Sequence, residues 1–284
     1  MEIRKLTGLD RADLLTAING AFADYIVPFQ LDASLLELKI RGEDILMDWS
    51  VGVFDGIQLI AFILHGMREI GGSKVIYNAG TGVLPAYRGR GLVVEMYRFM
   101  QPYFKAHHVK KLLLEVIESN LPAIRAYEKN GFVKGRKLLC FGGELDLNAG
   151  ALSGRIQPIH IQSIHDFSWD ILQSFWDVKP SWQNRIGRIE LIQLKGLGAF
   201  IGSDLVGYIL FNLSNKRIYQ IAVAKQHRRK GIATQLLSEL KAHVSSAKVQ
   251  ITNVDEKASN LRLFLQRQGL VNTINQIEMF KIMD

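Results

Sequence analysis

The chain has one cysteine, Cys140, among 284 residues. No disulfide can close within it, and a reducing compartment is the expected setting. Long apolar runs are also missing: none approaches the ~20 residues that a membrane-spanning helix needs. The opening Met1-Glu2-Ile3-Arg4-Lys5 mixes charged and apolar residues and does not read as a secretory signal. These absences lead to an expected cytoplasmic location, with no membrane partner. The seven histidines include no His-x-x-x-His pair and none groups with the cysteine, so no metal site is expected.

What is present is a globular composition, 48% hydrophobic and 22% charged. At this length two ordinary domains are expected, each with its own core. The formal charge is +8 and unevenly placed. Up to residue 150 there are 18 basic and 17 acidic side chains, against 17 and 10 in the remainder. A basic second half suits nucleic acid or an anionic cofactor, and equally a solvated basic surface.

The chain repeats itself. Setting Gly231 over Gly91, an offset of 140, lays "VAKQHRRKGIATQLL" over "VLPAYRGRGLVVEMY" and matches Val83 with Val223, Arg88 with Arg228 and Leu92 with Ile232. A hairpin pattern precedes each loop. "VGVFDGIQLIAFIL" carries Asp55-Gly56 as a type I′ turn signal, and "GAFIGSDLVGYILF" carries Ser203-Asp204 at its turn. After each loop come a helix, an apolar strand ("KKLLLEV", "AKVQIT") and a second helix ending in Gly ("NLPAIRAYEKNGF", "SNLRLFLQRQGL"). Each half also opens on a helical pattern, "DRADLLTAINGAFADYI" and, less clearly, "IHDFSWDILQSFWD". The small, turn-rich stretch "DLNAGALSGR" (146–155) places the boundary, giving domains 1–149 and 150–284. The expected fold class is α+β, with a mixed sheet in each domain.

The Gly loop has definite physical capacities. Pro85 ends the preceding strand, having no N–H for a ladder. Gly89 and Gly91 permit backbone angles closed to other residues. A helix starting near Gly91 presents free N–H groups and a positive dipole end to an anion, and Arg88 and Arg90 can add charge-assisted hydrogen bonds. The loop is no P-loop, since no Gly-Lys-Ser/Thr closes it, and its glycine spacing fails the dinucleotide fingerprint.

Arg/Gln-x-x-Gly-x-Gly/Ala between a strand and a helix resembles the acetyl-CoA loop of the GCN5-related N-acetyltransferases. Arg228-Arg229-Lys230-Gly231-Ile232-Ala233 matches it fully; Arg88-Gly89-Arg90-Gly91-Leu92-Val93 departs at Val93, where a small residue is usual. "LLLEVIESNLPAIRAYEKNGF" (112–132) resembles the corresponding segment of bacterial ribosomal-protein alanine acetyltransferases. The resemblance implies two tandem domains of mostly antiparallel twisted sheet flanked by helices, with a splayed central strand pair. It implies that Val83, Leu84, both loops, Asn120 and Tyr127 hold acetyl-CoA, with the glycines of "NAGTGV" on a bulged strand under the pantetheine arm. Tyr127 is then the acid beside the coenzyme sulfur, and Glu115 the general base acting through water. The plainer alternatives are a core tyrosine, a strand-end carboxylate paired with Lys110 or Lys111 and, for Asn120, a helix N-cap.

The second half lacks both groups. Leu265 stands at the Tyr127 position, and Thr252 or Asn253 at that of Glu115. Catalysis is therefore expected in the first domain, as transfer of an acetyl group to a primary amine on a small molecule, peptide or protein. The aromatic group Phe22, Tyr25 and Phe29, with Trp49 beyond, lines the acceptor pocket or forms a core-facing helix stripe. Cys140 reads as a small core residue, and His107-His108 as a solvated helix end. The rival reading is a non-catalytic acyl-CoA-binding or nucleic-acid-associated module. A monomer and a homodimer are both compatible with the sequence.

Overall fold

The computed structural model of the chain describes residues 1–146, 159–165, 168–192, 194–244 and 248–283. Packing divides the chain into two compact units, Met1–Arg136 with Ile277–Asp284, and Lys137–Gln276. The expected boundary at 149/150 falls among residues 147–158, outside the described residues. The units are not simply the two halves of the sequence. Each takes its last strand segment from the other half.

The first half forms β1 (Glu2–Lys5), α1 (Arg11–Ala21), α2 (Ala33–Gly42), β2 (Val51–Asp55), β3 (Gln58–Ile70) and β4 (Ser73–Val83). A 3-10 turn (Pro85–Tyr87), α3 (Leu92–Ala106), β5 (Val109–Ile117), α4 (Leu121–Lys129) and β6 (Val133–Glu144) follow. The second half forms β7 (His160–Ile164), α5 (Trp169–Ser174), a 3-10 turn (Trp182–Asn184), α6 (Ile186–Ile189), β8 (Lys195–Ile201), β9 (Asp204–Asn212) and β10 (Arg217–Val223). It ends with a 3-10 turn (Lys225–His227), α7 (Ile232–His243), β11 (Lys248–Asp255), α8 (Ser259–Arg267) and β12 (Val271–Ile282). The expected order of hairpin, strand, loop, helix, strand, helix and strand is present twice. Strands β1 and β7 and helices α2 and α6 are additions that the sequence patterns did not signal.

In the first unit β1 to β4 run antiparallel in order and β4 pairs with β5 in parallel. The end of β12 lies beside β5, and Met283 N–H donates to Lys110 O at 3.0 Å. In the second unit β7 to β10 are antiparallel, β10 and β11 parallel, and β6 closes the sheet against β11. The class is thus α+β, with a mixed, mostly antiparallel sheet in each unit. Both hairpins turn one position away from expectation. Asp55 pairs with Gln58 and Ile201 with Asp204, so Gly56-Ile57 and Gly202-Ser203 are the two-residue loops. Gly56 and Gly202 both have φ near +58° while Ile57 and Ser203 are not among the residues with positive φ, which makes both turns type II′ rather than type I′.

The first core lies between the sheet and the α3/α4 face. Met96, Met100 and Phe104 of α3 are essentially fully buried against Ile60, Ile63 and Leu114, and Met279 of β12 completes the layer. Each such side chain contributes roughly 1.5–3 kcal/mol on burial. The second core repeats the arrangement with Leu236, Leu237 and Leu240 of α7 against Ile209 and Ile251. Leu139 and Phe141 of β6 join this core, and Cys140 between them is buried on the other face of the strand, its Sγ 3.7 Å from Asn253 Oδ1.

His65 of β3 is a polar residue inside the first core, 1% exposed, with Nδ1 2.9 Å from Trp49 O and Nε2 without a partner. Burial drives its pKa from 6.5 down to about 4, the Trp49 carbonyl opposing weakly. The folded imidazole stays neutral where the unfolded one takes a proton. Stability from this group is complete above pH 6.5 and is lost as pH falls through the folded value. The urea midpoint of the first unit should fall between pH 6.5 and pH 4 by the equivalent of about 3 kcal/mol. A His65→Asn variant should lose that part of the pH dependence.

Candidate active site

Strand β4 carries one extra residue. Leu64 pairs with Gly80 but His65 with Asn78, leaving Ala79 as a bulge. The parallel ladder to β5 runs from Lys74↔Val109 to Asn78↔Leu114 and ends there. Beyond that level the two strands splay, which is the geometry expected for the central pair. The bulge also shifts the side-chain alternation, so Asn78 and Thr81, three positions apart, face the same side. Asn78 Nδ2 donates to Thr81 Oγ1 at 2.7 Å and to Tyr97 OH at 2.8 Å, while Asn78 Oδ1 accepts from Gly80 N at 3.0 Å. From helix α2, Lys39 Nζ donates to the bulge carbonyl of Ala79 at 2.7 Å and pairs with the buried Glu43 at 2.8 Å. None of Asn78, Thr81, Tyr97 and Lys39 was singled out in the sequence. Their role arises from the position of the bulge at Ala79, which the expectation of a bulged strand did not specify.

Val83 and Leu84 lead from β4 into the loop, half-buried against the α3 core. Gly89 and Gly91 adopt φ +77° and +75°, left-handed values that favour glycine. Gly91 is the N-cap of α3 with no side-chain cap, and the helix ladder begins only with Val94 and Glu95 donating to Gly91 O. The amides ahead of Val94 therefore have no partner in the helix ladder, the condition under which a helix start can take an anion. Val93 is half-buried against the core, and Leu92 packs beside it. The arginines divide the work. Arg88 is clamped by Asp24 (2.7 Å to each carboxylate oxygen), Ala21 O (3.0 Å) and Val83 O (3.2 Å), and its hydrogen bonds, with its charge adding, lower the Asp24 pKa. Its guanidinium thus caps the C-terminus of α1 and ties it to the loop. Arg90 lies exposed over the Tyr87 ring, 5.0 Å from the centroid.

Tyr127 projects from α4 into the core beside Tyr97 and Phe132. Burial pushes its pKa up to about 12, Tyr25 adding to the rise, while hydrogen bonds with Thr81 and Asn78 oppose it. Asn120 caps α4, its Oδ1 accepting from Ala123 N at 3.2 Å, and its side chain also meets Tyr25. Glu115 is half-buried one residue past the last β4–β5 pair, with Tyr77 OH donating to its Oε2 at 3.4 Å. Strand alternation sets Glu115 with Leu113 on one face of β5, and Leu114 and Val116 with Tyr127 on the other. The aromatic expectation divides. Helix α1 ends at Ala21, so Tyr25 and Phe29 lie in the α1–α2 connection, not on a helix stripe. Phe22 joins them, 5.0 Å from the Tyr25 ring and 4.8 Å from that of Phe29. Trp49 packs elsewhere, stacked on Phe104 and edge-on to Tyr103 and His107.

The second unit repeats the frame. Its bulge is Tyr219 on β10, at the same offset of 140 from Ala79, and the β10–β11 ladder ends at Ile218↔Ile251. Arg228 repeats the clamp, donating to Asp177 at 2.9 Å, Phe175 O at 2.9 Å and Val223 O at 3.0 Å. Arg229, exposed with Lys230, holds φ +62° where the first loop has Gly89, and Gly231 N-caps α7 at φ +82°. Ile232 is buried and Ala233 half-buried behind it. A cavity of about 770 Å³ opens at this loop between the splayed strands, lined by Trp176, Tyr208, Arg229, Ala233, Asn253 and Gln268 among others. Leu265, fully buried, occupies the Tyr127 position.

Two units, each with a bulged and splayed strand pair ending in a glycine-capped helix, define a tandem coenzyme A-dependent acyltransferase architecture. The chain matches the acetyltransferase (GNAT) family over residues 23–132 and an acetyltransferase (GNAT) domain over residues 174–282. It belongs to that family, with the domain present twice, and acetyl-CoA is the acyl donor on which the family depends. A 93-residue stretch is 34% identical to mycothiol acetyltransferase from Corynebacterium glutamicum, covering 32% of this chain and 29% of that protein. The matched stretch thus spans less than a third of that relative's length. A tandem GNAT protein from the clavulanic acid biosynthesis pathway superposes with TM-score 0.71 over 100% of this chain and 99% of the other, at 14% identity. A GCN5-related N-acetyltransferase from Sphaerobacter thermophilus gives 0.69 over 99% and 95%, at 15% identity. These last two are likenesses of fold. No helix among the described residues is long and apolar enough to cross a membrane.

The left-handed N-cap fits the coenzyme's pyrophosphate, because a Cβ at Gly91 meets nothing within 4 Å and the amides stay open. Gly91→Ala should therefore cost about 1 kcal/mol of strain rather than a clash. Its expected result is a several-fold higher KM for acetyl-CoA with a folded protein, checked by steady-state kinetics and thermal unfolding.

Proposed function

We propose that the first unit transfers an acetyl group from acetyl-CoA to a primary amine by direct attack in a ternary complex. The observation that carries this is the pair Glu115 and Tyr127, placed on opposite faces of β5 where the strands part, and replaced in the second unit by residues with neither carboxylate nor phenol. The loop amides from Gly89 to Val93 and the residues Val83, Leu84 and Asn120 hold the donor. The amine nitrogen attacks the thioester carbon as the C–S bond breaks. The proton leaving nitrogen passes through water to Glu115, and the sulfur takes up the electron pair. A phenol near 12 remains protonated throughout the physiological range. Against a thiol near 8.5, full proton transfer is uphill, so Tyr127 serves first as a hydrogen-bond donor to the departing sulfur.

The acceptor approaches from the α1–α2 side, where Phe22, Tyr25 and Phe29 gather. The likeness to mycothiol acetyltransferase supports a small-molecule amine, and the "LLLEVIESNLPAIRAYEKNGF" motif supports a peptide N-terminus. A panel containing both classes, with acetyl-CoA as donor, identifies the acceptor. With it in hand, Tyr127→Phe and Glu115→Gln should each lower kcat by about 10- to 1,000-fold. Unchanged turnover in both variants would remove the assignment.

A second reading, favoured by the cavity at the second loop, is that the second unit binds acyl-CoA without chemistry through Arg229, Lys230, Gly231, Ile232 and Ala233. Calorimetric titration with acetyl-CoA should then give two sites per chain. Gly231→Ala should weaken one of them and leave kcat in place; a single site in the wild type would exclude this reading.

A further inference from the structure

Resting on the reading that the first unit acetylates a primary amine beside Glu115, we propose that Lys39 determines acceptor specificity. It selects amines whose amine-bearing carbon also carries a carbonyl group, as in amino acid amides and peptide N-termini. The strands part after the pair Asn78↔Leu114, so Ala79 and Glu115 are the first residues beyond it. Lys39 Nζ donates to Ala79 O at 2.7 Å, and a Cβ on Gly80 would lie 4.0 Å from Lys39 Cε. The ammonium thus stands where β4 leaves β5. It stands on the Glu115 face. Leu114 and Val116 belong to the core under α3 and α4, which the buried Leu36 and Ile40 of α2 do not join. Strand alternation turns Tyr77 and Glu115 to the opposite face, and Tyr77 OH donates to Glu115 Oε2 at 3.4 Å.

Donor counting gives the ammonium its role. Lysine carries three N–H donors. One goes to Ala79 O and one to the buried Glu43 at 2.8 Å. Among the described residues Lys39 has no third partner, and its side chain is 19% exposed, so one N–H is left for a molecule entering the cleft. The holder is rigid: Glu43 N donates to Lys39 O at 3.0 Å, and a Cβ on Gly66 of β3 would overlap the Glu43 carbonyl. The Lys39–Glu43 pair carries no net charge, which suits a neutral carbonyl oxygen. Neighbouring strands lie about 4.8 Å apart, so an amine beside Glu115 brings a carbonyl on its own carbon within reach of Lys39. An alkyl group in that place leaves the donor unpaired once water is displaced. The second unit makes the same bulge at Tyr219, while its α6 is four residues long and contains no lysine. Lysine on the second helix is therefore not needed to build the bulge. It accompanies the copy with Glu115; in the other, Thr252 is the first residue past the pair Ile218↔Ile251.

The test compares two probes of one shape, L-alaninamide and sec-butylamine, in which an ethyl group replaces the amide. Per neutral amine, the wild type should acetylate alaninamide with a kcat/KM about tenfold or more above that for sec-butylamine, the worth of one charge-assisted hydrogen bond. Lys39→Met keeps the stem and removes the ammonium. It should lower kcat/KM for alaninamide about tenfold, leave that for sec-butylamine within about twofold, and leave the KM for acetyl-CoA within about twofold. Differences in amine basicity cancel, because each probe is compared between variant and wild type. Equal losses on both probes would mean a structural tie only and would overturn the proposal, as would a wild type that does not discriminate. Should Lys39→Met fail to fold, Lys39→Met with Glu43→Gln keeps the buried site neutral and is read in the same way. If neither probe reacts, the acceptor found in the panel and its analogue with methylene in place of the carbonyl take their place; a preferred acceptor without that carbonyl would overturn the proposal. Transfer to no amine at all, or unchanged turnover in both Tyr127→Phe and Glu115→Gln, would instead overturn the underlying reading.

Discussion

One extra residue in one strand governs the site. The bulge at Ala79 ends the pairing of β4 with β5, opens the sheet, and reverses which side chains face the helices. It also frees a carbonyl, which Lys39 of α2 takes at 2.7 Å. Helix α2 is thus tied to the bulged strand. Asn78 and Thr81 meet across the bulge. Regular alternation would set Asn78 and Thr81 on opposite faces. The second unit shows that this constraint is a property of the frame, since Tyr219 makes the same bulge.

The arginine clamp is the other shared device. Arg88 and Arg228 each satisfy the last carbonyls of a preceding helix, at Ala21 and Phe175, and a carbonyl at the end of the loop strand. A cation at a helix C-terminus is favourable for both the dipole and the unpaired carbonyls. The residue most conspicuous in the loop pattern as a phosphate ligand is therefore engaged in holding the loop in place. What remains open to an anion is backbone N–H together with the exposed Arg90 in one loop and Arg229 and Lys230 in the other. The second loop lacks the first glycine and places Arg229 in the left-handed region, a conformation that costs a non-glycine residue about 1 kcal/mol. The first unit thus departs from the loop pattern at Val93, whereas the second keeps the pattern and holds Arg229 in a left-handed conformation.

Much was legible in the chain, for identifiable reasons. Helices and strands with a clear apolar period, such as α3, β5 and α4, stand where the pattern placed them, because burial of one face is a local statement. The weakly patterned β1, β7, α2 and α6 went unread, since their stability comes from neighbours already in the fold. The opening helix was read too long. Its apolar period continues to Tyr25, but the helix stops at Ala21, where a distant arginine takes over the carbonyl. Glu115 and Tyr127 were visible as unusual groups in apolar settings. Asn78 and Thr81 were not, since a polar residue before a glycine run looks like any turn.

The sequence by itself determined the doubling of the unit, the glycine-capped loops and the absence from the second copy of a carboxylate and a phenol matching Glu115 and Tyr127, because each is a matter of residue identity at fixed spacing. Tertiary structure alone decided which segments complete which unit. Residues 277–284 belong with 1–136, and 137–144 with the second unit. A strand's edge accepts any partner with matching register and burial, and nothing in the order of residues states which edge it will meet. It also decided that Arg88 serves the helix before the loop and that Asn78 and Thr81 face the same side. Those assignments depend on distances between residues far apart in the chain and on one bulge that turns a strand's faces over.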